Sequence, residues 1–407
     1  MQNANAPLLT EALTQLHNPY PIYHRLRASD PVQWQADMSA WAVTSYADIV
    51  PGLRDNRLSA ARLTIDSAWF PEEMRTTIDP VVLALTRQML FLDPPDHSRL
   101  RGLVAKAFTP RVIEQLRGRM QEIVDQLLDT VQEKGEMDLV ANFSYPLPAI
   151  VIAELLGVPA EDRDQFVQWT SSFGALLGGH DLTVEDVLQA LLGVSEFISY
   201  FRNVIQQRRS APRDDLLQAM IAAEEQGDKL SEEELLGNCV LLLAAGHGTT
   251  THLISNGMLA LINNPDQLEM LREDPSIISL AVLELLRYDS PVQLTSRTAI
   301  QSMCIGDKQI EEGQEVLFCL GAANRDPAQF AEPDRLNLRR QENRHLAFGQ
   351  GIHYCLGAPL ARVEAEIAFS TLVRRLRSPR LAIPETELEW SPSLVFRGLR
   401  SLPITFR

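Results

Sequence analysis

The chain has 407 residues, 45% hydrophobic and 22% charged, a balance that supports a sizeable core and excludes a disordered polypeptide. Its 53 acidic against 37 basic side chains leave a net charge of -16, which argues against general binding to nucleic acid or acidic membranes. The four cysteines, Cys239, Cys304, Cys319 and Cys355, form no CxxC pair, so neither a zinc site nor a disulfide framework is expected and a reducing cytoplasm fits best.

No proline, glycine or serine linker, low-complexity run or internal repeat divides the sequence, so a single domain over residues 1–407 is expected. The opening MQNANAPLLTEALTQLHNPYP is polar and proline-broken, and it lacks both a signal pattern and the roughly 20 apolar residues needed to span a bilayer. QWQADMSAWAVTSYADIV has the alternation of a short hairpin, with Asp37 to Ser39 as its turn. From Leu100 the pattern becomes helical, over 111–133, 146–156, 161–177, 184–209 and 232–262. Strand character returns over 294–320 and in LVFRGLRSLPITF, which makes the expected fold class mainly α with a minor β-sheet region.

LDPPDHSRLRGLVAKAF sets His97 and Arg101 at i and i+4 on one face of a helix that begins after Pro94 and Pro95. Around it, Arg99, Arg101, Lys106, Arg111, Arg117 and Arg119 face a single acid, Glu114. This local reversal of charge reads either as a steering surface for an acidic partner or as a solvated helix face.

The longest helix candidate, Ser231 to Leu261, opens on a serine cap followed by Glu232, Glu233 and Glu234, and it ends at Asn263, Asn264 and Pro265. Its middle combines Gly246 and Gly248 with Thr249, Thr250 and Thr251, although each glycine costs about 1 kcal/mol against alanine. Missing side chains make room beside a flat cofactor, and threonine hydroxyls bend a helix and open a polar notch for dioxygen and a water. The competing reading is a packing pair of glycines with solvent-facing threonines.

In LAVLELLRYDSP, Glu284 and Arg287 stand at i and i+3 among apolar neighbours, which points to a buried pair. HLAFGQGIHYCLGAPLAR then sets Cys355 in a loop with Gly349, Gly351 and Gly357 that runs straight into a helix. Unpaired N–H groups at a helix start stabilise a thiolate, the form of cysteine that ligates a haem iron. A structural cysteine in a glycine-rich turn is the alternative.

In this order and spacing the motifs resemble those of the cytochrome P450 family, from about Pro19 to the C-terminus. Phe348, Gly349, Gly351, His353, Cys355 and Gly357 fall on its haem-binding loop, which implies Cys355 as the axial thiolate of haem b. The segment around Thr249 is similar to the oxygen-binding helix, AGx(D/E)T, whose threonine helps deliver protons. Gly248 stands where that family usually places an acid, so protons are left to water, His247, another side chain or the substrate. Glu284 and Arg287 match the ExxR helix, and Arg335 falls on the second arginine of the buried network that holds the cysteine loop. His97, Arg101, Arg297 and His353 match the propionate-binding set, with an ordinary surface charge as the alternative for each, Arg297 above all. The same mapping makes 63–89, 173–181, Leu243, Ala244, Val292 to Leu294, Val395 and Phe396 substrate-facing.

The resemblance implies a cytoplasmic haem-thiolate monooxygenase of the soluble bacterial type, similar to members that tailor macrolides and other natural products. It would activate dioxygen with NAD(P)H-derived electrons passed through a ferredoxin reductase and a ferredoxin, since the chain carries no flavin or nicotinamide fingerprint and no cysteine cluster. The basic stretch would steer the acidic ferredoxin. The substrate would be a medium-to-large hydrophobic small molecule, hydroxylated or epoxidised. With Gly248 in place of the acid, peroxide-driven oxidation, oxidative coupling and nitric oxide reduction stay open, as does a haem-binding sensor without turnover.

Overall fold

The computed structural model describes residues 8–407 except 64, 106, 107, 159–162, 179–181, 214 and 226–229. Lys106 of the basic stretch, and Thr64, Gly179, His180 and Asp181 of the substrate-facing segments, therefore lie outside the described residues. The chain divides into two compact units, one of Met1–Ser59, Gln115–Leu147 and Thr249–Arg407, the other of Ala60–Glu114 and Pro148–Gly248.

The helices begin with α1 (Tyr20–Ser29), α2 (Tyr46–Gly52), α3 (Glu72–Thr86), α4 (Asp96–Val104), α5 (Pro110–Asp129), α6 (Pro146–Leu155) and α7 (Arg163–Gly178). They continue as α8 (Val184–Ser210), α9 (Leu216–Glu225), α10 (Glu232–Asn263), α11 (Pro265–Glu273), α12 (Ile278–Tyr288), α13 (Leu320–Ala323) and α14 (Ala358–Arg375). Among the described residues no helix is long and apolar enough to cross a membrane.

The first unit is built on a five-stranded sheet. Its strands are β1 (Val32–Gln35), β2 (Ala40–Val43), β3 (Leu58–Ser59), β5 (Leu294–Ala299) and β8 (Glu315–Cys319), in the order β1-β2-β8-β5-β3. The expected hairpin pairs Trp34 with Trp41, but its strand ends at Val43, because Ser45 caps α2 by accepting the Asp48 N–H. In β8, Val316 and Phe318 enter one apolar cluster while Leu317 and Cys319 enter another, the period of two expected of a strand covered on both faces. Smaller sheets join β4 (Glu136–Asp138), β9 (Arg380–Leu381) and β10 (Pro403–Thr405), and β6 (Met303–Ile305) with β7 (Lys308–Ile310). Only Pro403–Thr405 of the last stretch is a regular strand; the rest contributes isolated bridges, Val292 to Phe396 and Trp390 to Leu399.

The second unit is helical. Trp169 of α7 stacks on Phe197 of α8 at 5.2 Å, and Arg208 of α8 reaches Asp215 and the Gly157 carbonyl. Residues 72–86, within the 63–89 segment expected to face substrate, form α3: Glu72 and Glu73 lie in its first turn and Ile78, Val81, Ala84 and Leu85 are buried. Gly237 allows close packing on this helix, since a Cβ there would stand 2.1 Å from the Ala84 carbonyl oxygen. The start of α10 is a capping box, with Ser231 Oγ accepting the Glu234 N–H at 3.2 Å and Glu234 Oε2 accepting the Ser231 N–H at 2.9 Å.

Candidate active site

Within the first unit, Leu346 is buried against Val316 and Phe318 and anchors the cysteine loop. Gly349 donates its N–H to the Leu346 carbonyl at 2.8 Å, Tyr354 to Gly351 at 3.1 Å and Cys355 to Phe348 at 2.9 Å. Gly349 and Gly351 adopt φ of 69° and 74°, which favours glycine, and a Cβ on Gly351 would stand 2.4 Å from the Leu53 carbonyl oxygen. Gly357 differs from expectation. It caps α14 at φ −80° and a Cβ there would meet Cys355 Sγ at an ordinary 4.0 Å, so the turn itself does not require glycine.

Cys355 is half-buried, whereas burial pushes the Cys319 thiol up to about 12 and also raises that of Cys239. Those two thiols stay protonated at neutral pH, and Cys304 is exposed. Cys355 is thus the cysteine placed to act as a thiolate ligand, on a tied loop at the start of a helix. That arrangement fits haem b.

Glu284 and Arg287 on α12 form a fully buried bidentate pair, both bonds 2.8 Å long. Arg287 Nη1 also donates to the carbonyls of Asn324 at 2.9 Å and Pro333 at 2.8 Å, and the guanidinium lies 5.4 Å from the Phe330 ring centre. The expected second arginine is corrected here. Arg335 points outward, its side chain 66% exposed and paired with Glu332, and only its carbonyl enters the network. Arg340 takes the place assigned to it, donating Nε to Glu284 Oε2 at 3.0 Å. With the Asn337 N–H at 2.9 Å and Asn343 Nδ2 at 3.1 Å, five donors satisfy the buried carboxylate.

The helical ladder of α10 is unbroken through Gly246–Thr251, so the threonines do not interrupt it. In the middle of this mostly buried helix Ala244, Ala245, Gly246, Gly248, Thr249 and His252 retain surface, and all but Gly246 stand at the three- and four-residue spacing of one face. The two glycines serve different ends. A Cβ on Gly246 would meet the Ile152 side chain at 3.0 Å, the mark of helix packing, whereas nothing lies within 4 Å of a Cβ on Gly248. Gly248 therefore leaves room beside the helix, as a flat cofactor requires.

His247, one of the proton sources left open by the sequence, does not lie on the side of α10 that keeps surface. It is 3% exposed and its Nδ1 lies 3.5 Å from Thr170 Oγ1 of α7, about 100° of helix rotation from its neighbour on either side. Leu243 and Leu294 are also poor substrate contacts, at 2% and 6% exposure; Leu294 packs with Tyr23, Leu317 and Cys319. Ala244, Val292, Val395 and Phe396 keep accessible surface.

His97 is buried and Arg101 half-buried on successive turns of α4. Arg297, on β5, is also buried, which removes its reading as a surface charge; its Nη1 donates to the Ser296 carbonyl at 2.7 Å. His353 is half-buried in a short 3-10 turn, Gly351–His353. In the basic stretch Arg99 binds Glu234 and Asp96, Arg119 lies 3.0 Å from Glu122, and Arg117 lies 3.8 Å from Glu366. Local acids thus offset much of the positive charge apparent in the sequence.

The description of the cytochrome P450 family matches residues 72–278 and 276–397. The chain is 49% identical over 320 residues to cytochrome P450 CYP107DY1 of Priestia megaterium, covering 78% of this chain and 76% of that protein. It is 39% identical over 398 residues to the polyketide biosynthesis cytochrome P450 PksS of Bacillus subtilis, covering 96% of each. The crystal structure of P450BioI in complex with an acyl carrier protein ligated to hexadec-9Z-enoic acid matches with a TM-score of 0.89 and 38% identity, covering 98% of this chain and 100% of that one. Likeness this high over this length, on a chain that presents Cys355 as it does, leads to one conclusion: the chain belongs to the cytochrome P450 family, whose members bind haem b, and is a monooxygenase.

Proposed function

We propose that this cytochrome P450 hydroxylates or epoxidises a medium-to-large hydrophobic intermediate of natural-product biosynthesis, in the cytoplasm, with electrons from a separate ferredoxin. The observation that carries the reading is the open face of α10, where Ala244, Ala245, Gly248 and Thr249 present only small side chains. Such a face takes up a bulky apolar molecule by burial and orients it with few hydrogen bonds. Support for the substrate class comes from the names of the two relatives that act in polyketide biosynthesis and bind a carrier-linked fatty acid.

Haem b, when bound, supplies dioxygen activation. In this reading residues 1–407 act as one catalytic domain, and Cys355 holds the iron through its thiolate. His97, Arg101, Arg297 and His353 bind the propionates, while Glu284, Arg287 and Arg340 keep the cysteine loop in place. Thr249 Oγ1 holds a proton and a water beside the substrate, and Ala244, Val292, Val395 and Phe396 line its apolar flank.

Gly248 favours one second reading, peroxide-driven oxidation, because no carboxylate stands at that position of α10. Product formation with ferredoxin, reductase and NADPH, set against peroxide alone, separates the two. Turnover with peroxide only would overturn the monooxygenase cycle proposed here, and a screen for Soret shifts identifies the ligand class.

A further inference from the structure

We infer that His252 is the residue that positions the proton at Thr249 Oγ1, in place of the acid that Gly248 does not supply. The inference rests on the function proposed above and deepens it. On α10, His252 lies three residues after Thr249 and four after Gly248, so all three share the face that keeps surface on this helix. Helical side chains lean back over the preceding turn, which carries the imidazole toward Thr249 and the space beside Gly248. That space is open, with nothing within 4 Å of a Cβ on Gly248, and His247 is turned away toward Thr170.

The ring also has a built seat. A Cβ on Gly398 would stand 1.8 Å from His252 Nδ1 and 2.4 Å from its Cγ, so glycine at 398 is what lets the imidazole lie there. The charged group beside that seat is Arg397, whose Nε binds Asp289 Oδ1 at 2.6 Å and whose guanidinium covers Trp390 at 3.7 Å. On the side of α12 and α14, the helix meets Leu285 and Phe369 at Gly257. An imidazole can take up and pass on a proton through its ring nitrogens, as a donor at this place must. One proton leaves the imidazolium for Thr249 Oγ1, the hydroxyl proton moves on to the reacting oxygen, and solvent restores the imidazolium.

Two measurements on the holoenzyme test this. In the first, nitrogen-15 histidine spectra of the carbon monoxide-bound ferrous protein follow the titration of His252. Gly248→Glu is expected to raise its pKa by about one unit, because a carboxylate then stands one turn away on the same face. No shift would mean that the ring does not face that turn, and the inference falls.

In the second, product formed per NADPH is compared in His252→Leu, Thr249→Ala and the double variant His252→Leu with Gly248→Glu. His252→Leu is expected to lower product formation about 100-fold, the lower end for positioned proton transfer, with reducing equivalents lost to peroxide. The new acid at 248 is expected to restore it, which a purely structural histidine would not allow. Loss in Thr249→Ala with full coupling in His252→Leu overturns this inference alone. Full coupling in both overturns the proposed function as well.

Discussion

Asn324 accepts the backbone N–H of Leu346 at its Oδ1, 2.6 Å away, while its own carbonyl accepts Arg287 Nη1 at 2.9 Å. One residue thereby joins the buried ion pair to the root of the cysteine loop. From Leu346 the path continues through the Gly349 N–H to the Phe348 carbonyl, which holds Cys355. Asn324→Ala strands the Leu346 N–H and removes the Nδ2 donor that the Ser290 hydroxyl now meets at 2.7 Å, while that hydroxyl keeps its own bond to the Leu286 carbonyl. Buried groups left without partners cost about 1–3 kcal/mol each, so unfolding free energy should fall by that order and haem should leave faster. Haem transfer to an acceptor protein at the wild-type rate would break the proposed link.

The two arginines assigned by sequence and by structure predict opposite outcomes. Arg335→Ala removes an exposed ion pair and should change stability by less than about 0.5 kcal/mol. Arg340→Ala takes one charged donor from the buried Glu284 carboxylate and should cost about 1.5–3 kcal/mol. Arg287→Lys should cost about 3–5 kcal/mol, because an ammonium cannot reproduce the fork that binds both carboxylate oxygens. Denaturant unfolding of the three variants ranks them, and a loss in Arg335→Ala equal to that in Arg340→Ala contradicts the geometry.

This contrast also shows what a sequence can display. The cysteine loop is legible because its glycines and its cysteine are contiguous and their backbone demands are local. The ExxR pair is legible for the same reason, at one turn of spacing. Arg340 reaches Glu284 across 56 residues, and the choice among Arg335, Arg339 and Arg340 depends on a turn at Glu332, φ 45°, that no periodicity announces. The helix α3 is hidden by Pro80 and the adjacent β-branched Thr76 and Thr77, which weaken its propensity although its buried face is regular. The seat of His252 is not legible in the sequence, because it depends on Gly398, far away in the chain.

Two glycines of the loop separate backbone strain from steric exclusion. Gly349→Ala forces a side chain into the left-handed region with open space around it, and should cost about 1–2 kcal/mol. Gly351→Ala carries the same strain and also drives a Cβ to 2.4 Å from a backbone oxygen that cannot swing aside. Its cost should reach about 2–5 kcal/mol, with displacement of the loop and loss of bound haem. Thermal unfolding with haem content measured in parallel checks this, and equal effects at both positions would contradict the approach of Gly351 to Leu53.

Glu364, on α14, is 2% exposed, and its Oε2 has no hydrogen-bond partner among the described residues. Burial pushes its carboxyl up to about 8 from an ordinary 4.5. Between those values the folded protein keeps a proton that the unfolded chain has lost, so stability falls as pH rises through this window and levels off above it. The loss is on the order of 5 kcal/mol, spread over the window. Glu364→Gln keeps the shape and removes the titration. At pH 5 the variant should match the wild type, and at pH 8 it should be the more stable protein. Urea unfolding at the two values isolates this group, because every other titrating side chain is common to both proteins. An identical pH slope in wild type and variant would show that the carboxyl ionises in the fold at its ordinary pH, through a water or a rearrangement that reaches Oε2.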